Sequence, residues 1–453
     1  MKKLLATLLA STMAFSAIAG LVACGGGDNG GNGGGDVNNK LADDLPTVSD
    51  VNDPFAGDNE AVAACTIEVW APEKTVAAFE TLAAKFTSNE YHNGKYANVT
   101  INFTPKGEDK AQEALATDPE QGADVFFFPS DHLDKFVQDD ILQELRGNVG
   151  SYYTKAISER DSEGTYSAAL SKDGYMLAFP ATADNGYYLW YDGDFFSDSD
   201  VETLDGMMEK AKKANKNIIW DYGTGWYTPT FFYGMGCNAG YVGDNYEIDF
   251  NSANGKIAAE AMIRYLVTDN VMENEKPCLI KGAIGDDIVA GMKDGSVVAG
   301  IGGGWFAGDL PANAKATKLP TFTAKIDGKD VQKQMYTFFG GKYCGVNSKK
   351  TNISVSMAFA NFLTSYEGQV ARYNADNAGP SNKEAAKLPA VQSDKALSAL
   401  LAQAAVGSYV QGNQDPFWDP MQSFCAEIAD GTTTIDNLQT ALDNLVAAIK
   451  QKA

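Results

Sequence analysis

Histidine is nearly absent from this chain, with two in 453 residues. That excludes a histidine cluster for a metal centre and leaves little for a histidine-based proton relay. Only six cysteines are present, and no two are close enough for a C-x-x-C zinc or redox motif. Basic residues are also scarce: 36 Lys+Arg stand against 59 Asp+Glu, for a formal charge of −23. Nucleic acid and anionic lipid headgroups repel such a chain, so neither is expected as its main partner. The glycine-rich stretch Gly300–Gly308 is no nucleotide loop, because Trp305 stands where G-x-G-x-x-G needs its third glycine. The acids Asp192, Asp194, Asp198 and Asp200 lack the glycine and terminal Glu of a calcium loop and read as a solvated turn. Neither a cofactor nor a metal is expected.

What is present is the composition of an ordinary globular protein, 44% apolar and 21% charged. The length exceeds what one hydrophobic core organises, so two or three lobes are expected. Lys2 and Lys3 precede an apolar stretch over residues 4–23, which is long enough to read as a membrane span. Thr7, Ser11, Thr12 and Ser16 dilute it, and small residues precede Cys24, so a cleavable export signal over 1–23 is the better reading. In the next segment, residues 25–36, eight of twelve residues are glycine. That run and the acidic stretch after it, 24–61 in all, read as a flexible tether. Cys65, Cys237, Cys278, Cys344 and Cys425 make an odd set; Cys237 and Cys278 either pair or remain buried thiols.

From Cys65 the pattern alternates. Strands are predicted over Thr66–Trp70, Val99–Phe103, Asp124–Phe128 and Tyr175–Pro180, with helices over Glu73–Phe86 and Asp109–Ala116. Further helices are predicted over Val201–Ala214, Ser252–Val267, Ser354–Leu363 and Ile435–Lys450. The cluster Lys210, Lys212, Lys213 and Lys216 reads as a solvated helix face. The alternation implies an α/β fold with a mostly parallel sheet. In such sheets ligands sit beyond the carboxyl ends of the strands. Three predicted strand exits carry a carboxylate there: Glu73, Asp131 and Asp184.

The runs Asp124-Val-Phe-Phe-Phe-Pro-Ser-Asp131 and Tyr175–Gly186 resemble the extracellular sugar-binding proteins of ABC importers, the maltose/maltodextrin-binding type in particular. So do Gly295-(x5)-Ile301-(x3)-Trp305, Leu319–Phe322, Phe362–Thr364 leading to Gly379–Lys383, and Pro416-Phe417-Trp418. The similarity runs in order through residues 62–453. It implies a periplasmic-binding-protein-like fold of two hinge-connected lobes with a ligand cleft between them. Lobe 1 would be 62–182 plus 343–380, and lobe 2 would be 183–342 plus 381–453. Leu21-Val22-Ala23-Cys24 looks like a lipobox, which implies lipidation of Cys24 and anchoring on the outer face of the bacterial membrane. The implied partners are a malto-oligosaccharide or related sugar and the permease subunits of the importer, with the protein itself a monomer and not an enzyme.

By the same resemblance, Glu73 and Lys74 match a polar pair that bonds sugar hydroxyls, and Asp131 matches a second carboxylate. His132 stands where the family often has arginine. Asp184 matches a longer acidic residue at the hinge-side turn. Trp305 and Trp418 match aromatic platforms under the sugar rings, and either Trp226 or Tyr227 supplies another. The chemistry agrees: aromatic faces cover the apolar C–H side of a glucosyl ring, and carboxylates accept hydrogen bonds from its hydroxyl rim. Trp190, Trp220 and Tyr233 are expected in the core. Two other readings share these residues. One is a surface protein that tethers starch without transport; the other is a secreted glycosidase using Glu73, Asp131 or Asp184 as a carboxylate pair.

Overall fold

The computed structural model of this chain describes residues 40–43, 45, 60–242, 245–410 and 416–453. The expected signal 1–23, Cys24 and the glycine-rich run 25–36 lie outside them. Among the described residues no helix is long and apolar enough to cross a membrane.

The chain forms two compact units, each with its own α/β core. One comprises the described residues up to Asn185 together with Gly340–Ser393; the other is Gly186–Phe339 with Asp394–Ala453. The third passage from one to the other falls after Ser393, later than the boundary at 380/381 expected from sequence. Hydrogen bonds explain the difference. Ala183 N donates to Gly379 O, Ser381 Oγ to Asp161 Oδ1 and Asn382 N to Gln369 Oε1, all within 2.8 Å. These bonds tie residues 379–382 into the first unit.

In the first unit, Cys65–Ala71 turns Ile67, Val69 and Ala71 inward and runs parallel to Val99–Pro105 and Val125–Pro129. Val125 to Phe128 is buried on both faces, as a central strand under helices must be. The helix Val76–Phe86 buries Phe79, Leu82, Ala83 and Phe86 at helical spacing, and Phe79 stacks on Phe127 at 5.4 Å. The sheet is mixed rather than mostly parallel. Thr337–Val346 returns after the long excursion through the second unit and pairs antiparallel with Val125–Pro129.

The strand predicted over Tyr175–Pro180 instead spans Phe179–Gly186 and pairs with Thr337–Val346. The residues before it are committed elsewhere: Met176 N bonds Thr154 Oγ1 at 3.0 Å and Leu177 N bonds Ala169 O at 2.8 Å. Asp184 therefore lies within a strand, not in a turn after one. Residues 40–43, expected within the tether, pack on this unit. Ala42 N donates to Gly174 O at 3.1 Å, and Leu41 lies against the core.

The second unit centres on the sheet formed by Ala314–Thr317, Tyr188–Asp192, Val297–Gly302, Asn217–Ile219 and Leu279–Ile280, again with parallel and antiparallel pairs. Trp190, Trp220 and Tyr233 are buried in it as expected. The helix predicted from Val201 begins at Leu204, because the Thr203 side chain caps it by accepting from Gly206 N. The cluster Lys210, Lys212, Lys213 and Lys216, the last beyond the helix end at Lys213, is not a bare solvated face. Lys210 pairs with Asp200 at 2.7 Å and Lys213 with Glu209 at 2.6 Å, while Lys212 and Lys216 donate to the carbonyls of Asp269 and Gly295. The nearby acids build turns: Asp192 Oδ1 accepts from Asp194 N and Asp200 Oδ2 from Ser197 N. All five described cysteines are free thiols, so Cys237 and Cys278 do not pair. Burial pushes the Cys237 thiol up to about 12 and Cys278 to about 11.

Candidate functional site

The first unit presents its polar candidates where two parallel strands end. Cys65–Ala71 runs through Pro72 into a single 3-10 turn, Glu73–Thr75, and both Glu73 and Lys74 are exposed. Thr75 fixes that turn, since its N–H and hydroxyl both donate to Pro72 O, at 2.9 and 2.8 Å. Val125–Pro129 likewise ends in the turn Ser130–His132. Asp131 is only 9% exposed there, and its Oδ2 lies 3.9 Å from His132 Nε2. His132 Nδ1 is buried without a hydrogen bond. In each case a short polar turn directly after an interior strand places these groups beyond the strand's carboxyl end.

Asp184 sits differently. Its Oδ2 accepts a 2.7 Å hydrogen bond from Gly379 N, and its Oδ1 is buried without a partner. Around it lies a charged cluster that the sequence reading missed. Arg372, 2% exposed, donates from Nη2 to Glu108 Oε1 at 2.6 Å, and its Nε lies 3.7 Å from Asp376 Oδ2. Lys342 approaches Glu108 Oε2 at 3.4 Å. Burial works to raise the Glu108 carboxyl, but the Arg372 and Lys342 cations outweigh it and hold Glu108 below its usual value. For Asp376 burial wins, and its carboxyl is raised despite Arg372. The one readable trace of this cluster was the i,i+4 spacing of Arg372 and Asp376.

The second unit carries the aromatic candidates. Trp226 is half-buried, with its ring centroid 5.3 Å from Phe338 and 6.1 Å from Trp418. Phe338 also meets Trp418, at 5.6 Å. Two predicted platforms thus share one aromatic cluster with Phe338, a residue the sequence reading did not single out. Tyr227 is 6% exposed and packs edge-on against Tyr187 at 4.9 Å. Of the two alternatives, Trp226 is therefore the one with surface to offer. Gly225 allows the cluster to close, since a Cβ there would fall 2.8 Å from the Trp418 backbone. Trp305 is 37% exposed. Its turn follows Val297–Gly302, and its neighbour Phe306 is buried.

A family model described as bacterial extracellular solute-binding protein matches residues 76–399. The chain belongs to this family. The solved structures agree on the fold of this solute-binding protein. A protein solved with acarbose is 24% identical, with a TM-score of 0.73, 86% of this chain covered and 99% of the other. The maltodextrin binding protein MalE1 from L. casei BL23, without ligand, is 23% identical, with a TM-score of 0.70 and coverage of 86% and 100%. A cyclo/maltodextrin-binding protein complexed with maltotetraose is 20% identical, with a TM-score of 0.66 and coverage of 86% and 98%. No curated protein matches the sequence.

Proposed function

We propose that this solute-binding protein is the cell-surface lipoprotein receptor of an ABC sugar importer and that it binds malto-oligosaccharides. The observation that carries the reading is the division of chemistry between the units. Glu73, Lys74, Asp131 and His132, just after strand ends, and Asp184, within a strand, lie on the first, and the surface-accessible indoles Trp226, Trp305 and Trp418 on the second. A sugar ring needs both, hydroxyl acceptors and an apolar platform. The names of the structural neighbours, which include maltodextrin and acarbose binders, favour α-glucosides over other oligosaccharides.

In this reading the protein closes about the strands Phe179–Gly186 and Thr337–Val346, through which the chain passes from one unit to the other. The closed state is favoured by whatever binding free energy only it collects. Lipidation at Cys24 would hold the receptor near the permease. Calorimetry of the mature protein with maltose through maltoheptaose tests the assignment. Saturable heat with at least one sugar is expected, and silence with all of them would refute it. Intact sugars after prolonged incubation are expected as well, and cleavage products would make the protein a glycosidase.

A further inference from the structure

We infer that Trp190 and Trp220, both fully buried, are positioning residues that hold in place the loops presenting Trp305 and Trp226. An indole has one donor and no acceptor. Trp190 stands opposite Gly300 in the sheet, and its Nε1 donates to Gly303 O at 2.9 Å. Gly303 is two residues before Trp305, whose ring folds back over it. The loop is therefore gripped on two sides, its carbonyl by the buried indole and its Cα by the exposed one. Trp190 itself is wedged by Phe306, at a centroid distance of 6.1 Å, and by the Lys395 ammonium at 5.8 Å.

The second loop repeats the device. Trp220 Nε1 donates to Tyr227 O at 2.9 Å, one residue beyond Trp226. The loop's other side-chain hydrogen bonds are short-range, Gly223 N to Asp221 Oδ1 at 3.0 Å and Thr228 Oγ1 to Gly225 O at 3.2 Å, and its rings pack on Phe338, Trp418 and Tyr187. Both loops are rich in glycine and would otherwise have to be ordered when ligand arrives. A platform already fixed avoids that entropic cost, so the two hydrogen bonds act on affinity through preorganisation.

The inference rests on the proposal that Trp305 and Trp226 stack on sugar, but part of its test does not. Trp190→Phe keeps the aromatic bulk and removes the donor. In ligand-free protein, the Trp305 emission is isolated by subtracting the Trp305→Phe partner of each variant. It is expected to show lower anisotropy and stronger acrylamide quenching when Trp190 is Phe. Sugar affinity is expected to fall about three- to ten-fold, the size of one lost neutral hydrogen bond. That loss should vanish when Trp305 is already Ala, because coupling rather than damage is being measured.

Unchanged anisotropy and quenching, or affinity losses that simply add, would overturn the positioning role. Should Trp190→Phe not fold, Trp190→benzothienylalanine replaces the N–H by sulfur at nearly constant shape and gives the same readouts. If the wild type binds no sugar, the function proposed above fails, while the ligand-free fluorescence still decides this inference.

Discussion

Gly303 lies directly beneath the indole of Trp305: a Cβ at position 303 would fall 1.8 Å from the ring. No real Cβ contact is that short, so Gly303→Ala must push the indole off its seat. Trp305 is 37% exposed, and displacing it disturbs little of the core. Stability should therefore change by only about 0.5 kcal/mol. Sugar affinity should drop about ten-fold, through loss of an ordered stacking face. Calorimetry beside a thermal melt separates the two effects, and unchanged affinity would remove Trp305 from the ligand surface.

Trp226 and Tyr227 are adjacent in sequence but opposite in exposure. Trp226→Ala removes an accessible ring and should weaken sugar binding while the fold survives. Tyr227→Ala removes a buried ring packed on Tyr187, which should cost about 3–5 kcal/mol of stability. Tyr227→Phe, which keeps that packing, should leave affinity unchanged. Titration of the three variants by intrinsic fluorescence checks this. A binding defect in Tyr227→Phe would reverse the choice between the two residues.

Buried Arg372 and the mostly covered Glu108 make an ion pair whose loss should be felt in stability. Arg372→Met leaves Glu108 and Asp376 with Lys342 as their remaining nearby cation and should cost about 3–5 kcal/mol at neutral pH. Glu108→Gln combined with Arg372→Met should cost less than Arg372→Met alone. The pH dependence has a definite sign. The folded Glu108 carboxyl is held below its unfolded value of about 4.3, so its contribution is complete above that pH. The contribution is lost as the pH falls through the folded value. Asp376, raised by burial, works the other way: its strain is relieved as the pH falls through its raised value. Urea unfolding between neutrality and pH 3 should show a smaller acid-side loss in Glu108→Gln than in the wild type. Equal losses would mean that the pair contributes nothing.

The elements legible in the sequence were those whose pattern is local. Val76–Phe86 declares itself through Phe79, Leu82, Ala83 and Phe86, and Val125–Pro129 through an unbroken apolar run. The placement of Glu73 and Asp131 just after a strand was legible too, since the strands before them, Cys65–Ala71 and Val125–Pro129, are locally patterned. What the sequence concealed depended on partners far along the chain. Asp184 reads as a turn residue until Thr337–Val346, some 150 residues on, pairs with its strand. Arg372 lies in a stretch for which no helix is predicted from sequence, and its partner Glu108 is 264 positions away. Phe338 has no local signal at all, because its role depends on Trp226 and Trp418 converging on it.

Gly174 is where the segment 40–43 meets the body of the first unit. Its φ is +83°, and a Cβ there would fall 2.4 Å from both Ala42 N and Lys40 O. Both facts exclude a larger residue, the first by backbone strain of about 1 kcal/mol and the second by overlap with main chain. Gly174→Ala should therefore detach the segment. Hydrogen exchange at the Ala42 amide, protected in the wild type by its bond to Gly174 O, should accelerate. Leu41→Ser supplies the control, because it loosens the same segment by removing its apolar contact without straining the turn. Faster exchange at Ala42 in both variants, with sugar binding intact, is the expected result. Protection retained in both would mean that the segment is held by something other than this turn.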